Sequence, residues 1–270
     1  MGKSVLRVIK IYFYMVEVSI KAQLQYRYAF VMNILGWMMT YAGSAVTMWV
    51  LLYSFGSIKG WVFWELLFLF ALSLLSWSMC VIFFFHFREL DQYIIQGTFD
   101  RILIRPIHPF LHVMALKFDI GAFGHLLFSI IAMILAYNRL ALHWISWQWL
   151  VFLGAVVGGT FIQGGMLVLI SAVAFWTNRS ERLYWAIMWP TKSLMNYPLT
   201  IFPRGVQALL IFILPFAFIN YLPSLSLLGK LNEGYAPSWG FFSILVGLVF
   251  FMVSFQIWKT GLNHYKSAGS

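Results

Sequence analysis

The sequence predicts an all-α integral membrane protein with six transmembrane helices and an interfacial amphipathic helix at its N-terminal end. Three observations predict it. The chain is 62% hydrophobic and only 10% charged, whereas a soluble domain carries about 25% charged residues. Its apolar runs exceed the roughly 18 residues that read as a membrane-spanning helix. Those runs are continuous rather than alternating, which argues against a transmembrane β-barrel.

The elements follow in chain order. In residues 3–20, Val5, Val8, Ile9, Tyr12 and Val16 recur at helical spacing among Lys3, Arg7 and Lys10. That pattern suits a helix lying in the membrane interface; a basic solvated tail is the plainer alternative. No compact apolar run with a small-residue cleavage site marks a signal peptide there. Apolar runs then cover about 28–54, 62–85, 114–137, 148–176, 205–222 and 239–258. The fifth is the weakest, because Pro215 interrupts it and the preceding 183–204 is half-apolar. Trp185, Trp189 and Tyr197 in that stretch suit an interfacial position, and a re-entrant or broken helix is the other reading. With no soluble domain, long linker or tandem repeat, residues 1–270 read as one membrane domain.

The formal charge is +10. In a soluble protein this would suggest nucleic acid. Here it fits positive-inside topology and attraction to anionic lipid, so membrane lipid is an expected partner and nucleic acid is not. Under the six-span scheme, fifteen Lys and Arg fall on the side of the termini and three, Lys59, Arg139 and Lys230, on the other. That asymmetry predicts a multi-pass protein of the plasma (inner) membrane with both termini cytoplasmic.

Motifs for catalysis are missing. No GxxxxGK[ST] loop cradles a phosphate. GGTFIQGG at 158–165 lies inside an apolar run and reads as close helix packing. Cys80 has no second cysteine to pair with. His108 and His112 have helical ligand spacing, but Pro109 lies between them and nothing completes a metal site. Intramembrane ionisable groups are the default pointers to function, and here only Glu65, Asp119 and His125 fall near the ends of spans. Asp119 has Lys117 and Arg105 nearby to pair with. Glu65, Ser73 and Ser76 in the second run, with Phe212 and Phe216 in the fifth, are the candidates for lining a substrate pathway; helix packing is the alternative for the serines.

The polar segment 89–110, ELDQYIIQGTFDRILIRPIHPF, separates two apolar runs. Thr98 is placed to cap a short helix with Asp100 near its positive end. Phe99, Ile102 and Leu103 then share one face, Arg101 and Arg105 lie off it, and Pro106 and Pro109 end the helix. Such a ridge suits another protein's groove or packs back on the membrane surface.

Two motifs carry a resemblance. GTFDRILIRPIHP at 97–109 resembles the G-x-x-D-x-x-L-x-R-P-x-x-P signature between the second and third spans of ABC-2 type permeases. YPLTIFPRGVQALLIFILPFAFINYLPSLSLLG at 197–229 is similar to a Y-P-L-x-I-[YF]-P block followed by I-P-x-A-F and Y-x-P-x-x-x-L-L-G in one branch of that family. Phe202 stands where a tyrosine is often found.

The resemblance implies an ABC-2 (type V exporter-like) permease architecture. It implies a non-catalytic subunit, with ATP and Mg held by two separate ABC ATPase subunits, and pairing with a second permease, identical or paralogous. By the same resemblance 3–20 is an interfacial helix and 97–105 the coupling helix. Phe99, Ile102 and Leu103 would fill the ATPase groove, and Asp100, Arg101 and Arg105 would set its register. The few charges in the spans favour an apolar or amphipathic cargo: drug, peptide, lipid or glycan. Two other classes stay open. An ion-coupled transporter or channel would need broken-helix ion sites, and Pro190, Pro198, Pro203 and Pro215 supply breaks without acidic partners. A membrane-embedded enzyme would need a catalytic cluster.

Overall fold

The computed structural model describes residues 25–116, 121–177, 180–230 and 234–265, with Ile11, Tyr14, Met15, residues 17–21, Gln23 and Asp119 besides. Within the expected interfacial helix, Lys3, Val5, Arg7, Val8, Ile9, Lys10, Tyr12 and Val16 lie outside the described residues. The described positions from Ile11 to Lys21 are helical, and Lys21 pairs with Glu17 at 2.6 Å.

Beyond Gln23 the described residues form twelve α-helices, with short 3-10 or π segments between some of them: α1 (Arg27–Phe55), α2 (Phe63–Phe84), α3 (Leu90–Ile95), α4 (Phe99–Leu103), α5 (Pro109–Ala115), α6 (Ala122–Arg139), α7 (Ser146–Ala172), α8 (Ala174–Thr177), α9 (Ser180–Leu194), α10 (Arg204–Ala208), α11 (Tyr221–Leu228) and α12 (Ser243–His264). No strand forms among the described residues; a single bridge between Ile58 and Trp61 closes the turn after α1. Backbone groups in hydrocarbon have no water to bond, so the apolar runs become helices that satisfy them internally.

Five helical segments are long and apolar enough to cross a membrane: Tyr28–Phe55, Phe63–Ile95, Ala122–Arg139, Ser146–Thr177 and Pro237–His264. The second is buried over most of its length and forms the centre of the bundle. The first is almost wholly exposed and lies at the edge. α7 packs along α12 through the glycines that the sequence marked. A Cβ on Gly158 would meet the Ser243 backbone, one on Gly247 would meet the Gly158 backbone, and one on Gly165 would come within 3.2 Å of the Phe251 Cα. Small residues thus let two backbones touch.

Two expected spans are corrected. The third was expected over 114–137, but α6 begins at Ala122 and Pro109–Ala115 is a separate helix. The break lies where Asp119 Oδ1 accepts the Gly121 N–H at 2.8 Å. Asp119 therefore serves its own turn, while Lys117 lies outside the described residues and Arg105 lies against His112.

The fifth was expected over 205–222. That stretch is a bent pair, Arg204–Ile213 and Phe216–Leu228, turning by 76° at Pro215: a broken span or a re-entrant loop, the other reading the sequence offered. Contacts tie both limbs to the neighbourhood of residues 56–62. Tyr235 donates to Gln207 Oε1 at 2.5 Å, and the Tyr235 ring packs on Tyr221, which packs on Trp61. At the other limb, Trp144 Nε1 donates to the Leu227 carbonyl and Lys230 to that of Gly60. Meanwhile α9 runs antiparallel to α2. Its start lies beside Arg88, Lys192 lies over Trp77, and the Met195 carbonyl shares the Asn220 amide with that of Leu69. Proline supplies the break in the bent pair, since its ring forbids a continuous helix.

Candidate functional site

The polar connection between α2 and α6 folds into three short helices across one end of the bundle. Gly97, at φ +67°, makes the left-handed turn that joins α3 to α4. Thr98 stands at the start of α4, but its hydroxyl turns back to the Tyr93 carbonyl at 3.2 Å rather than capping the helix. Asp100 in the first turn accepts the Tyr265 hydroxyl at 3.0 Å. Burial first, then this bond and the Asp100 charge, push the Tyr265 phenol up to about 12.

The two faces of α4 differ. Phe99 is fully buried, edge-on to Phe175 and Tyr265 with ring centroids 5.7 and 5.1 Å away. Ile102 is buried beside it. Leu103 and Ile104 are exposed, Ile104 by 83%, and Arg101 and Arg105 are exposed with them. The expected ridge of Phe99, Ile102 and Leu103 is therefore split: two members face the chain's own core and one faces out. Ile95, 61% exposed, adds an outward apolar residue that periodicity within α4 did not mark.

Below α4, Asp91 is buried and bridges two helices. Its Oδ1 accepts the Gln92 N–H at 2.9 Å and its Oδ2 accepts the Glu181 N–H at 2.8 Å. Gln92 Nε2 also donates to the Glu181 carboxylate at 3.1 Å. A carboxylate at the first turn of α9 meets free N–H groups and the positive end of the helix dipole. On α5, His108 Nδ1 accepts the Phe110 N–H at 3.3 Å. His112 is buried with Arg105 Nη1 3.4 Å from its Nε2. Burial, then the Arg105 charge, hold its imidazole below the ordinary value of 6.5.

A second feature is a cavity of about 280 Å³ among α1, α2, α6, α7 and α9. Tyr41, Ser73, Trp77, His125, Trp185 and Lys192 are among the residues on its wall. The Tyr41 hydroxyl and His125 Nδ1 lie 2.7 Å apart. The Lys192 ammonium sits 2.9 Å from the centre of the Trp77 ring. At the α4 end, Arg88 lies over Phe85 at 4.4 Å and pairs with Glu89 at 3.1 Å.

Of the expected pathway residues, only Ser73 reaches this cavity. Ser76 is fully buried, bonded to the Leu72 carbonyl and packed on Gly159. Glu65 lies at the opposite end of α2, where it accepts the Val62 N–H and pairs with Lys230 at 3.0 Å. Phe212 is 74% exposed on the outside of the bent pair, and Phe216 is buried in the core. Lys192 was missed because 183–204 read as a connection. Its signal is present: Trp185, Trp189 and Lys192 fall at i, i+4 and i+7, one helical face.

The family model described as ABC-2 family transporter protein matches residues 38–269. The chain belongs to that family. It is an ABC-2 permease: a multi-pass, non-catalytic membrane subunit of an ABC transporter, in a family that associates with ABC ATPase subunits. No curated protein and no solved structure matches it. In this permease both motifs that carried the resemblance lie inside the matched region, the first building α4 and the turn into α5, the second the bent pair and the stretch before it.

Proposed function

We propose that this permease exports an apolar or amphipathic molecule, powered by two ATPase subunits that dock on the α3–α5 end and paired with a second permease, identical or paralogous. The observation that carries the proposal is the two-faced α4. Phe99 and Ile102 fasten it to the bundle, while Leu103, Ile104, Arg101 and Arg105 stand outward as an apolar patch with cationic flanks. A short helix held rigidly from behind and left unsatisfied in front is built to receive force from a partner.

The route inward follows from the contacts. Motion of α4 reaches α8 and the end of α12 through Phe175 and Tyr265. It reaches α9 through α3 and the Asp91 carboxylate. Helix α9 carries Trp185 and Lys192 on the cavity wall, so a tilt of α9 changes the shape of the cavity. ATP binding on the partner would close the ATPase pair, push both coupling helices and open the cavity outward. Chemistry stays with the ATPase; this chain supplies the path and the lever.

In this reading α3–α5 and both termini face the cytoplasm of an inner-membrane protein. Helix α9 makes the fifth crossing and 204–228 dips in from the outer face. This moves Arg204 outside and Lys192 into the bundle, and most Lys and Arg stay on the cytoplasmic side. Reconstitution tests the reading. Vesicles containing the permease and its ATPase should accumulate an amphipathic dye only with hydrolysable ATP. Accumulation driven by an ion gradient without ATP would overturn it.

A further inference from the structure

The cavity wall carries a lysine with no carboxylate partner among the described residues. Lys192 reaches the cavity from α9 with its ammonium over Trp77. No Asp or Glu lines the cavity, and among the described residues no carboxylate lies within ion-pair distance of Lys192. A cation taken out of water is costly unless it is paired. The second cation, Arg88, has Glu89. Lys192 has the face of Trp77, a partial replacement for water or a counter-ion.

The rest of the wall suits one kind of visitor. Trp37, Tyr41 and Trp185 offer flat apolar surfaces, and Ser73 and Asn196 offer polar groups close to Lys192 on the same wall. We infer that this cavity binds an amphiphile with an anionic group, its charge meeting Lys192 and its apolar or aromatic body lying among the tryptophan and tyrosine rings. The inference rests on the transporter reading for its meaning, because it names the class of cargo. Binding itself requires no ATPase. Two sources share this chemistry: an anionic lipid and a free anionic amphiphile.

The test uses the full chain, with any subunit that stays bound, in nanodiscs of zwitterionic phosphatidylcholine. Two probes share a pyrene body, 1-pyrenebutyrate and the matching trimethylammonium cation. Energy transfer from protein tryptophan to pyrene reports binding. The anion should bind at least about tenfold more tightly than the cation. Lys192→Met should abolish that preference, Lys192→Arg should keep most of it, and Lys259→Met, on the exposed face of α12, should leave it unchanged. Replacing some phosphatidylcholine with phosphatidylglycerol separates the sources. Loss of the Lys192-dependent preference assigns the site to lipid, and its retention assigns it to a free amphiphile.

Equal affinity for the two probes overturns the inference. So does a preference that survives Lys192→Met in protein that remains monodisperse, or one that Lys259→Met reduces as much. None of these results bears on whether an ATPase docks at α4, which a pull-down with an α4 variant decides separately.

Discussion

Asp91 and Glu181, ninety positions apart in the chain, are joined by a 2.8 Å hydrogen bond from the Glu181 backbone N–H to the Asp91 carboxylate. One residue belongs to the polar connection and the other begins the helix that walls the cavity. In the proposed transport cycle this bond is the most direct physical link between the docking face and the cargo path.

Its removal should separate docking from transport. Asp91→Asn keeps the shape and loses the charge; Asp91→Ala loses the cap, at a cost of about 1 kcal/mol in helix stability. Both variants should still bring down the ATPase. Both should transport more slowly per ATP hydrolysed, Asp91→Ala the more severely. Wild-type coupling ratios in both would remove Asp91 from the route.

The buried face of α4 predicts a loss of fold rather than of docking. Phe99→Ala empties a fully buried site and should cost about 3 to 5 kcal/mol, as large-to-small core changes do. Thermal unfolding followed by size exclusion checks this. Tyr265→Phe removes only the bond to Asp100 and should cost about 1 kcal/mol. If Phe99→Ala unfolds no earlier than Tyr265→Phe, the inward placement of Phe99 is wrong.

Glycine substitutions along α7 should differ in sign. An alanine in a helix is ordinarily better than glycine by about 0.5 to 1 kcal/mol. A Cβ on Gly154 would meet nothing within 4 Å, whereas one on Gly158 would run into the Ser243 backbone. Gly154→Ala should therefore be neutral or stabilising, and Gly158→Ala destabilising. Equal melting temperatures would contradict the close approach of α7 and α12.

His112 sets a pH dependence. Its folded-state value lies below the ordinary 6.5, so the unfolded chain takes up a proton first as pH falls. Stability contributed by the neutral ring is present above about 6.5 and declines below it. Melting temperature should fall between about pH 7.5 and 5.5, and His112→Asn should flatten part of that fall. An identical slope in wild type and variant would show that His112 does not carry it.

Most of the fold could be read directly from the chain. A lipid environment demands about twenty apolar residues per crossing, and α1, α2, α7 and α12 advertise themselves that way. In the proposed topology α9 is the fifth crossing, and Lys192, Pro190 and Thr191 lower its hydropathy. The contacts of Gln207 and Leu227 support the proposed dip of 204–228 from one face.

The short helix α4 was legible in the sequence, bounded by Gly97 and Pro106. Its orientation was not. Helical periodicity states which residues share a face, and cannot say whether that face meets the chain's own core or a partner. Phe175 and Tyr265 decide this, and they arrive from 76 and 166 positions beyond Phe99. The cavity was hidden for a related reason: its walls come from five helices, and only Ser73 among the expected residues belongs to it.

The most direct test of the central claim is a pull-down in mild detergent from cells making the tagged chain beside its neighbouring genes. Wild type should bring down a nucleotide-binding subunit in equal amount. Ile104→Asp, which alters a side chain 83% exposed, should leave a folded, monodisperse permease that has lost that subunit. A wild-type chain that purifies without any ATPase, or an Ile104→Asp chain that keeps its full complement, would contradict docking through α4.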